Sequence, residues 1–473
     1  MKQPVLGLVA AGSLVLTAIL ASPVASATGS TRFSDFTPLP ASASPPAVDA
    51  PITFGNPAFQ QRSIADRFTQ LEKKQPNSGN WDMNTVNETG PRKGSFLFTP
   101  FETGQSGIQR TDLATGVTKT IWYSPATAPS PLAHVAFDAS YWTPWGTYIT
   151  AEENWCTAPA GCTSPYGRFF ELTNPLTAAS VTDDAGEDGV LVHRNVIPRV
   201  SHEGVQFDKR GNMYFIDELN GGSVYKYTSA ASWGQIKSGQ AGYFDAGQTS
   251  VLRVGNGTKP NDTGAYTWVP ITDANGQALQ GAITITDPNG VRSVDGRNTT
   301  DLAAFKGTDY QRPEDLQLQT VNGVERLYMA TTTTNEVYAL DLSGQQISVF
   351  ANRTTTDLAT GNPVGGPALT GPALTSPDNL ALDHENNIYI VEDTPGGLVT
   401  PVGSGNDIWF ARDLNFDGDL VDAGEGLGRW ASNGTLGSEF TGLYFDPTDK
   451  RRAWVNIQHP TSGNDRVIEI TTR

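Results

Sequence analysis

Two stretches of this chain are near copies of one another, and nothing else in the sequence constrains the fold as strongly. Phe207-Asp208-x-x-Gly211-Asn212-Met213-Tyr214-Phe215-Ile216-Asp217-Glu218 matches Leu382-Asp383-x-x-Asn386-Asn387-Ile388-Tyr389-Ile390-Val391-Glu392-Asp393. Each reads as a short strand, a tight turn and a second strand ending in two acids. Weaker copies run from Phe137-Asp138 to residues 148–153, from Leu316-Gln317-Leu318 to residues 327–330, and from Tyr444-Phe445-Asp446 to residues 453–456. Ser95-Phe96-Leu97-Phe98 reads as the first. The strand copies centre near residues 97, 149, 215, 329, 390 and 455. Short strands repeating at this spacing predict an all-β fold, a six-bladed β-propeller with insertions. The widest gap, between 215 and 329, predicts extra strands or an insertion around residues 255–301. Composition agrees: 49 Gly and 31 Pro serve many turns, while 10 Trp, 14 Tyr and 20 Phe supply large core side chains. A helical bundle and general disorder are both excluded.

The N-terminus reads as a targeting signal. Met1-Lys2 is followed by an apolar run from Val5 to Leu20 and by Ala25-Ser26-Ala27, a small-x-small cleavage pattern. Residues 1–27 are therefore expected to be a cleaved signal peptide, with no membrane span after its removal, and the protein to be secreted or otherwise extracytoplasmic. Residues 28–60, rich in Ser, Pro and Ala, are expected to be an extended leader, and residues 61–473 a single propeller domain. In an oxidising compartment the two cysteines, Cys156 and Cys162, are expected to close a short disulfide loop.

The 49 acidic side chains outnumber the 32 basic ones, for a formal net charge of −17. That balance excludes nucleic acid as a main partner and suits a protein that holds cations. The repeat gives part of the charge an address. Five residues before the strand aspartates Asp208, Asp383 and Asp446 lie Glu203, Asp378 and Thr441, and Glu314 takes the same register two residues before Leu316. Equivalent positions in a propeller form a ring, and a ring of carboxylates is costly unless cations neutralise it. The pairs Glu152-Glu153, Asp217-Glu218 and Glu392-Asp393 end the next strands and are candidates for the same mouth. Hard oxygen donors, with only 5 His and 2 Cys in the chain, select calcium or magnesium, and calcium suits an exported protein.

A separate calcium pattern, Asp413-x-Asn415-x-Asp417-Gly418-Asp419, is followed by Asp422 and Glu425. The last acid falls at loop position 13 rather than 12 and no flanking helices are evident, so a structural calcium loop is expected rather than a helix-loop-helix hand. Two other residues bear on chemistry. The repeat aligns His459 with the strand-ending acids. Arg312 stands two residues before Glu314. A guanidinium there repels bound metal unless an anion lies between them, phosphate being the first candidate, or unless it pairs with Asp315 or another acid.

Several of these segments resemble the PhoX-type alkaline phosphatase family. They are Thr143-Pro144-Trp145-Gly146-Thr147-Tyr148-Ile149-Thr150-Ala151-Glu152-Glu153-Asn154, His202-Glu203-Gly204, Arg312-Pro313-Glu314-Asp315, Ser376-Pro377-Asp378-Asn379-Leu380 and Gln458-His459-Pro460. The resemblance extends from about residue 80 to 473 with the motifs in order. It implies an exported six-bladed propeller that hydrolyses phosphate monoesters of small molecules at a cluster of calcium and iron. Glu203 and Glu314 would be metal ligands, Arg312 would hold the substrate phosphate, and Glu152, Asp378 and the strand-ending acids would be further calcium ligands. Apart from the resemblance, the register of His459 with the strand-ending acids leads to the expectation that it protonates or orients the leaving group. The family pattern places an iron-binding cysteine just before the Glu-Glu pair, where this chain has Ala151, and the N-terminus lacks the twin arginine common in the family. Both departures imply a calcium-dependent site with an altered or absent ferric centre. Two alternatives stand beside this reading: a calcium-dependent propeller lactonase or phosphotriesterase, and a non-catalytic calcium-binding propeller.

Overall fold

Antiparallel meanders account for almost all regular structure in the computed structural model, which describes residues 1, 31–42, 50–128, 130, 132–155, 164–182, 187–366, 374–393 and 406–473. Apart from Met1, the expected signal peptide lies outside the described residues, as do both cysteines. Residues 31–473 form one compact unit. Each strand copy noted in the sequence is the second strand of a meander: Phe96–Pro100, Tyr148–Ala151, Asn212–Ile216, Val324–Thr331, Ile388–Glu392 and Arg452–Gln458. The first meander runs Thr85–Val86, Phe96–Pro100, Gly107–Asp112, Val117–Tyr123, and the second Tyr141–Trp142, Tyr148–Ala151, Phe169–Leu172, Leu191–His193. The all-β propeller architecture follows, with the first strands of successive meanders meeting at its centre.

The wide gap in the repeat is filled by β structure. Gly264–Pro270 extends the meander that begins at Val205–Phe207 and pairs at Gly264↔Ile347 and Ala265↔Gln346 with the outer strand of the next, giving one nine-stranded sheet. A small hairpin, Thr284–Thr286 with Arg292–Val294, and the short helix Gly296–Thr299 complete the insertion.

The expected leader is partly core. Ile52–Phe54 adds a strand beside Gly426–Asn433, and Phe33, Ile52 and Phe59 are buried against Trp430, Tyr389 and Phe445. Apolar side chains among the Ser, Pro and Ala residues were enough to dock the segment, because each buried Phe removes a large apolar area from water. Gln60–Asp66 then pairs with Arg466–Thr471, so the start of the chain completes the sheet that its end begins. Such closure removes an exposed edge that would otherwise offer unpaired backbone groups.

Close approach at the centre demands small residues at two places. A Cβ on Gly204 would lie 2.2 Å from the Leu316 nitrogen, and Gly442 adopts φ +56 with the Asp82 carbonyl 2.7 Å from where its Cβ would be. Any side chain there would push adjacent meanders apart.

Candidate active site

Turn geometry fixes which residues correspond from one meander to the next. Asp208 Oδ1 accepts the N–H groups of Arg210 (2.9 Å) and Asn212 (2.8 Å), and its Oδ2 accepts the Tyr214 hydroxyl (3.1 Å). Asp383 repeats the arrangement with Glu385 (2.8 Å), Asn387 (2.9 Å) and Tyr389 (3.1 Å). Elsewhere the turn residue is Asn87, which accepts the Phe96 N–H (2.8 Å), or Thr143, which accepts the Thr147 N–H (2.8 Å). Gln319 accepts the Tyr328 hydroxyl (3.1 Å), and Asp446 accepts the Thr448 N–H (2.7 Å). Five residues before these six lie Asp82, Asp138, Glu203, Glu314, Asp378 and Thr441, and all of them line one cavity of ≈ 120 Å³.

This correspondence corrects the sequence alignment at one point. Phe137-Asp138 does not match Phe207-Asp208; it is displaced by five residues, because Thr143 does the work of the turn aspartate. Asp138 is therefore a ring acid. Asp82 was missed for a related reason, its turn residue being Asn87. Counting back from any Asn, Asp or Thr that opens such a turn would have found both.

Two further positions complete the mouth. At the end of each second strand a backbone N–H returns to the carbonyl two residues before the ring position. The pairs are Glu102 to Asn80 (2.8 Å), Glu153 to Ala136 (2.8 Å), Glu218 to Ser201 (2.9 Å), Thr332 to Arg312 (3.0 Å) and Asp393 to Ser376 (2.9 Å). Asn80, Ala136, Arg312 and Ser376 all have positive φ, from 42 to 59. The left-handed residue turns the backbone so that its carbonyl meets the strand end, at a conformational cost the two hydrogen-bonded strands sustain. Arg312 thus owes its place to the same repeat as the acids. In the last meander the corresponding residue is Glu439, opposite Gln458, and sequence reasoning missed it.

The strand-ending pairs divide. Glu153, Glu218 and Asp393 line the cavity. Glu152, Asp217 and Glu392, also expected there, point into the blades, because successive strand residues face opposite sides. Glu152 is fully buried on Arg168, whose Nε lies 2.9 Å away, and it also accepts the Arg168 N–H (3.0 Å) and the Val135 N–H (3.2 Å). Asp217 accepts the Ser201 N–H (2.9 Å). Glu392 accepts from the Thr375 N–H (2.7 Å), the Asp407 N–H (3.0 Å) and Trp409 Nε1 (2.8 Å). These three are structural acids.

Among the described residues, ten carboxylates line the cavity: Asp82, Glu102, Asp138, Glu153, Glu203, Glu218, Glu314, Asp378, Asp393 and Glu439, with Arg312 and His459 beside them. Burial first, and neighbouring carboxylates second, hold Asp82, Glu102, Asp138, Glu203, Glu218, Asp378 and Glu439 well above the ordinary carboxylate range. Glu314 rises only to about 7, since burial is opposed by Arg312. Glu203, Glu314 and Asp378 offer oxygens within 4.8 Å of one another. Buried oxygens on Asp82, Asp138 and Glu203 have no hydrogen-bond partner among the described residues. Orphaned acceptors in an all-oxygen set fit a hard divalent cation. Ala151 is fully buried in the cluster with Ala139, Ile149 and Phe169, so the position that would carry an iron thiolate carries a methyl group in the core. The residues present do not fit a thiolate-bridged iron centre.

Arg312 donates through Nε (3.1 Å) and Nη2 (2.9 Å) to Glu218, and its Nε lies 2.9 Å from Glu314. Burial lowers its pKa, but Glu314 and Glu218 more than offset this and raise it. His459 is at the rim, 43% exposed, with Nε2 3.1 Å from Glu439. A larger cavity of ≈ 410 Å³ is lined by Tyr141, Phe207, Leu382 and Tyr444 among others, and its carboxylates Asp383, Glu88 and Asp315 are engaged by the turn, by the Tyr444 hydroxyl and by the N–H groups of Leu316 and Leu380.

The loop of residues 413–425 is apart from this cavity, joining Asp407–Arg412 to Gly426–Asn433 with strands rather than helices on either side. Asp413 and Glu425 are buried, Asp422 and Leu414 donate their N–H groups to Glu425 (3.1 and 2.9 Å), and Asn415 Nδ2 bridges Asp417 and Asp422 (2.9 Å each). Asp419 lies in the same loop, its N–H donating to Asp417 (3.2 Å).

Comparison with known proteins bears on this site. No curated protein sequence matches the chain. PhoX of Pseudomonas fluorescens, solved in complex with vanadate, a transition-state analogue, is similar over 92% of this chain and 98% of its own, with a TM-score of 0.64 at 15% identity. A gluconolactonase from Xanthomonas campestris covers 92% of this chain and 99% of its own at 11% identity, with a TM-score of only 0.42. The family model described as alkaline phosphatase PhoX matches residues 139–461, well over half of the sequence and most of the cavity-lining positions. The chain belongs to the PhoX alkaline phosphatase family.

Proposed function

We propose that this phosphatase is an exported, calcium-dependent phosphate monoester hydrolase without a thiolate-bridged iron centre. Its family supplies the reaction class. The observation that carries the finer reading is the set of orphaned carboxylate oxygens on Asp82, Asp138 and Glu203 beside a lone arginine. An acidic cavity repels a phosphate ester, so it serves one only when cations stand between the two. Glu203, Glu314 and Asp378 would hold such a cation, with Asp82, Asp138, Glu153, Glu218 and Asp393 as neighbouring donors. Bound calcium would supply positive charge that draws the phosphate oxygens and lowers the cost of charge developing on them.

The remaining work falls to the chain's own side chains. Arg312 spends Nε and Nη2 on Glu218 and Glu314, and Nη1, which makes no hydrogen bond among the described residues, would be the group to meet a phosphate oxygen. Its guanidinium fixes the phosphoryl group and stabilises charge as water bonds to phosphorus and the ester bond to the leaving group breaks. His459, exposed at the rim and next to Glu439, is placed to pass a proton to the departing oxygen. The 413–425 loop takes a structural calcium, and residues 1–27 direct export. A propeller lactonase needs no phosphate-holding arginine, which sets the two chemistries apart.

Arg312→Ala should reduce turnover of p-nitrophenyl phosphate about a hundredfold or more while metal analysis finds unchanged calcium. Unchanged turnover would reject the role of Arg312. Iron in stoichiometric amount in active protein would overturn the iron-free reading.

A further inference from the structure

Trp155 is 42% exposed at the mouth of the acidic cavity, two residues beyond the cavity acid Glu153. Its indole Nε1 donates to Glu153 Oε1 (2.5 Å) and Glu218 Oε2 (2.8 Å). The Arg312 guanidinium carbon lies 4.7 Å from the centre of its ring. Glu218 is therefore shared, one oxygen taken by the indole and the other by Arg312, and the three side chains close a triangle. The preceding backbone is tied down: buried Arg297, paired with Asp295 at 2.9 Å, donates to the carbonyl of Asn154 (3.4 Å) and also to that of Ser164 (3.2 Å).

We propose that Trp155 is a positioning residue that holds the Arg312 guanidinium in its phosphate-binding pose. This rests on the reading of Arg312 as the phosphate-holding group. The in-plane partners of Arg312 are carboxylates, and a carboxylate that orients an arginine also cancels the charge a phosphate needs. Glu218 and Glu314 are moreover among the candidate cation ligands, so their hold on Arg312 weakens when cations draw on the same oxygens. The ring face has neither defect. It attracts a guanidinium through its quadrupole, keeps the plane fixed and leaves the positive charge available. The indole N–H adds a second function, tying the ring to Glu218 so that ring, carboxylate and guanidinium keep one arrangement.

The test is a double-mutant cycle on the full-length, calcium-loaded enzyme. KM and kcat for p-nitrophenyl phosphate and the inhibition constant of inorganic phosphate are measured for Trp155→Ala, Trp155→Phe, Arg312→Ala and the Trp155→Ala/Arg312→Ala pair. Trp155→Ala should raise KM and the phosphate inhibition constant about 2- to 30-fold, the range expected for a lost cation–π contact. Trp155→Phe, which keeps a ring, should recover phosphate affinity to within about threefold. The double variant should bind phosphate no worse than Arg312→Ala alone, because the indole acts through the arginine. An effect that multiplies with that of Arg312→Ala would overturn the proposal, as would normal phosphate affinity in Trp155→Ala when Arg312→Ala has lost it. Unchanged affinity in Arg312→Ala would instead sink the reading of Arg312 itself, and the present inference with it. If the alanine variant folds poorly, Trp155→Leu, which keeps apolar bulk without a ring face, should raise the phosphate inhibition constant in its place, and normal phosphate affinity in that variant would overturn the proposal.

Discussion

Stripping the metal from this protein should make its stability fall with rising pH, and the carboxylate triad sets the size of the effect. Glu203, Glu314 and Asp378 bring oxygens within 4.8 Å of one another. At an effective dielectric constant of about 20, each such pair of charges repels by about 3.5 kcal/mol, so three ionised groups cost about 10. Arg312, with its Nε 2.9 Å from Glu314, offsets one part of this. The alternative is to bind a proton. For a carboxyl of ordinary pKa this costs about 2 kcal/mol at pH 6 and about 6 at pH 9, and it relieves two contacts worth about 7. Protonation of one member wins throughout that range, in line with the raised pKa values of Glu203 and Asp378, whereas Glu314, opposed by Arg312, rises only to about 7 and gives up its proton within the range. The sign follows from linkage. These groups bind protons more tightly in the folded state, so their protonated forms favour folding at low pH and that advantage is lost as pH rises towards their folded pKa values. Each retained proton lowers stability by about 1.4 kcal/mol per pH unit, hence about 4 kcal/mol between pH 6 and pH 9. For a chain of this length that is a fall in Tm of about 4 °C per proton. Calorimetry of chelator-treated protein at the two pH values measures it, and calcium should remove the slope while releasing protons into weak buffer. Glu203→Gln should flatten the slope of the stripped protein and raise its Tm at pH 9. Parallel curves for stripped and calcium-loaded protein, with no proton release, would refute the reasoning.

Two further outcomes can be measured directly. Arg168→Met strands the fully buried Glu152 without its ion pair and should cost about 3–5 kcal/mol in urea unfolding, with part recovered by adding Glu152→Gln. Asp413→Ala should lower Tm only when calcium is present; at a calcium concentration about 100 times Kd the lost stabilisation is about 2.7 kcal/mol, and an equal loss in chelator would show that the loop holds no ion.

The repeat made the fold legible because it is written in residues that turns require. Asp208 and Asp383 occupy equivalent turns with equivalent hydrogen bonds, so their sequence likeness carried Glu203 and Asp378 into register. Where Asn87, Thr143 or Gln319 does the same work with different chemistry, the likeness fades although the geometry does not. Glu314 was recovered through Leu316 instead, whereas Asp82 and Asp138 had no such second marker. Arg312 could be found because its register to Glu314 is local. Its pairing with Glu218, 94 residues away, and its contact with Trp155 depend on how meanders are arranged about the centre, which no local pattern encodes. The split of the strand-ending pairs was legible in principle. Period-two alternation already forbids both members of Glu152-Glu153 from facing one cavity.

That split also bears on why the cavity needs cations. This chain satisfies buried carboxylates thoroughly where they serve structure: Glu152 has a guanidinium and two backbone N–H groups, and Glu392 has two N–H groups and an indole. One residue further along the same strands, Glu153 and Asp393 face other acids, and nearby Glu203, Asp82 and Asp138 keep oxygens with no partner among the described residues. The contrast lies within single strands, so poor packing or a general excess of acid does not account for it. A fold able to supply donors to the first set has left oxygens of Asp82, Asp138 and Glu203 open, and an unpaired buried carboxylate costs several kcal/mol. Protons can meet that cost at low pH. At the alkaline pH in which this family's enzymes are named to work, ions of opposite charge must, and the same ions are what allow an acidic cavity to receive a phosphate ester beside Arg312.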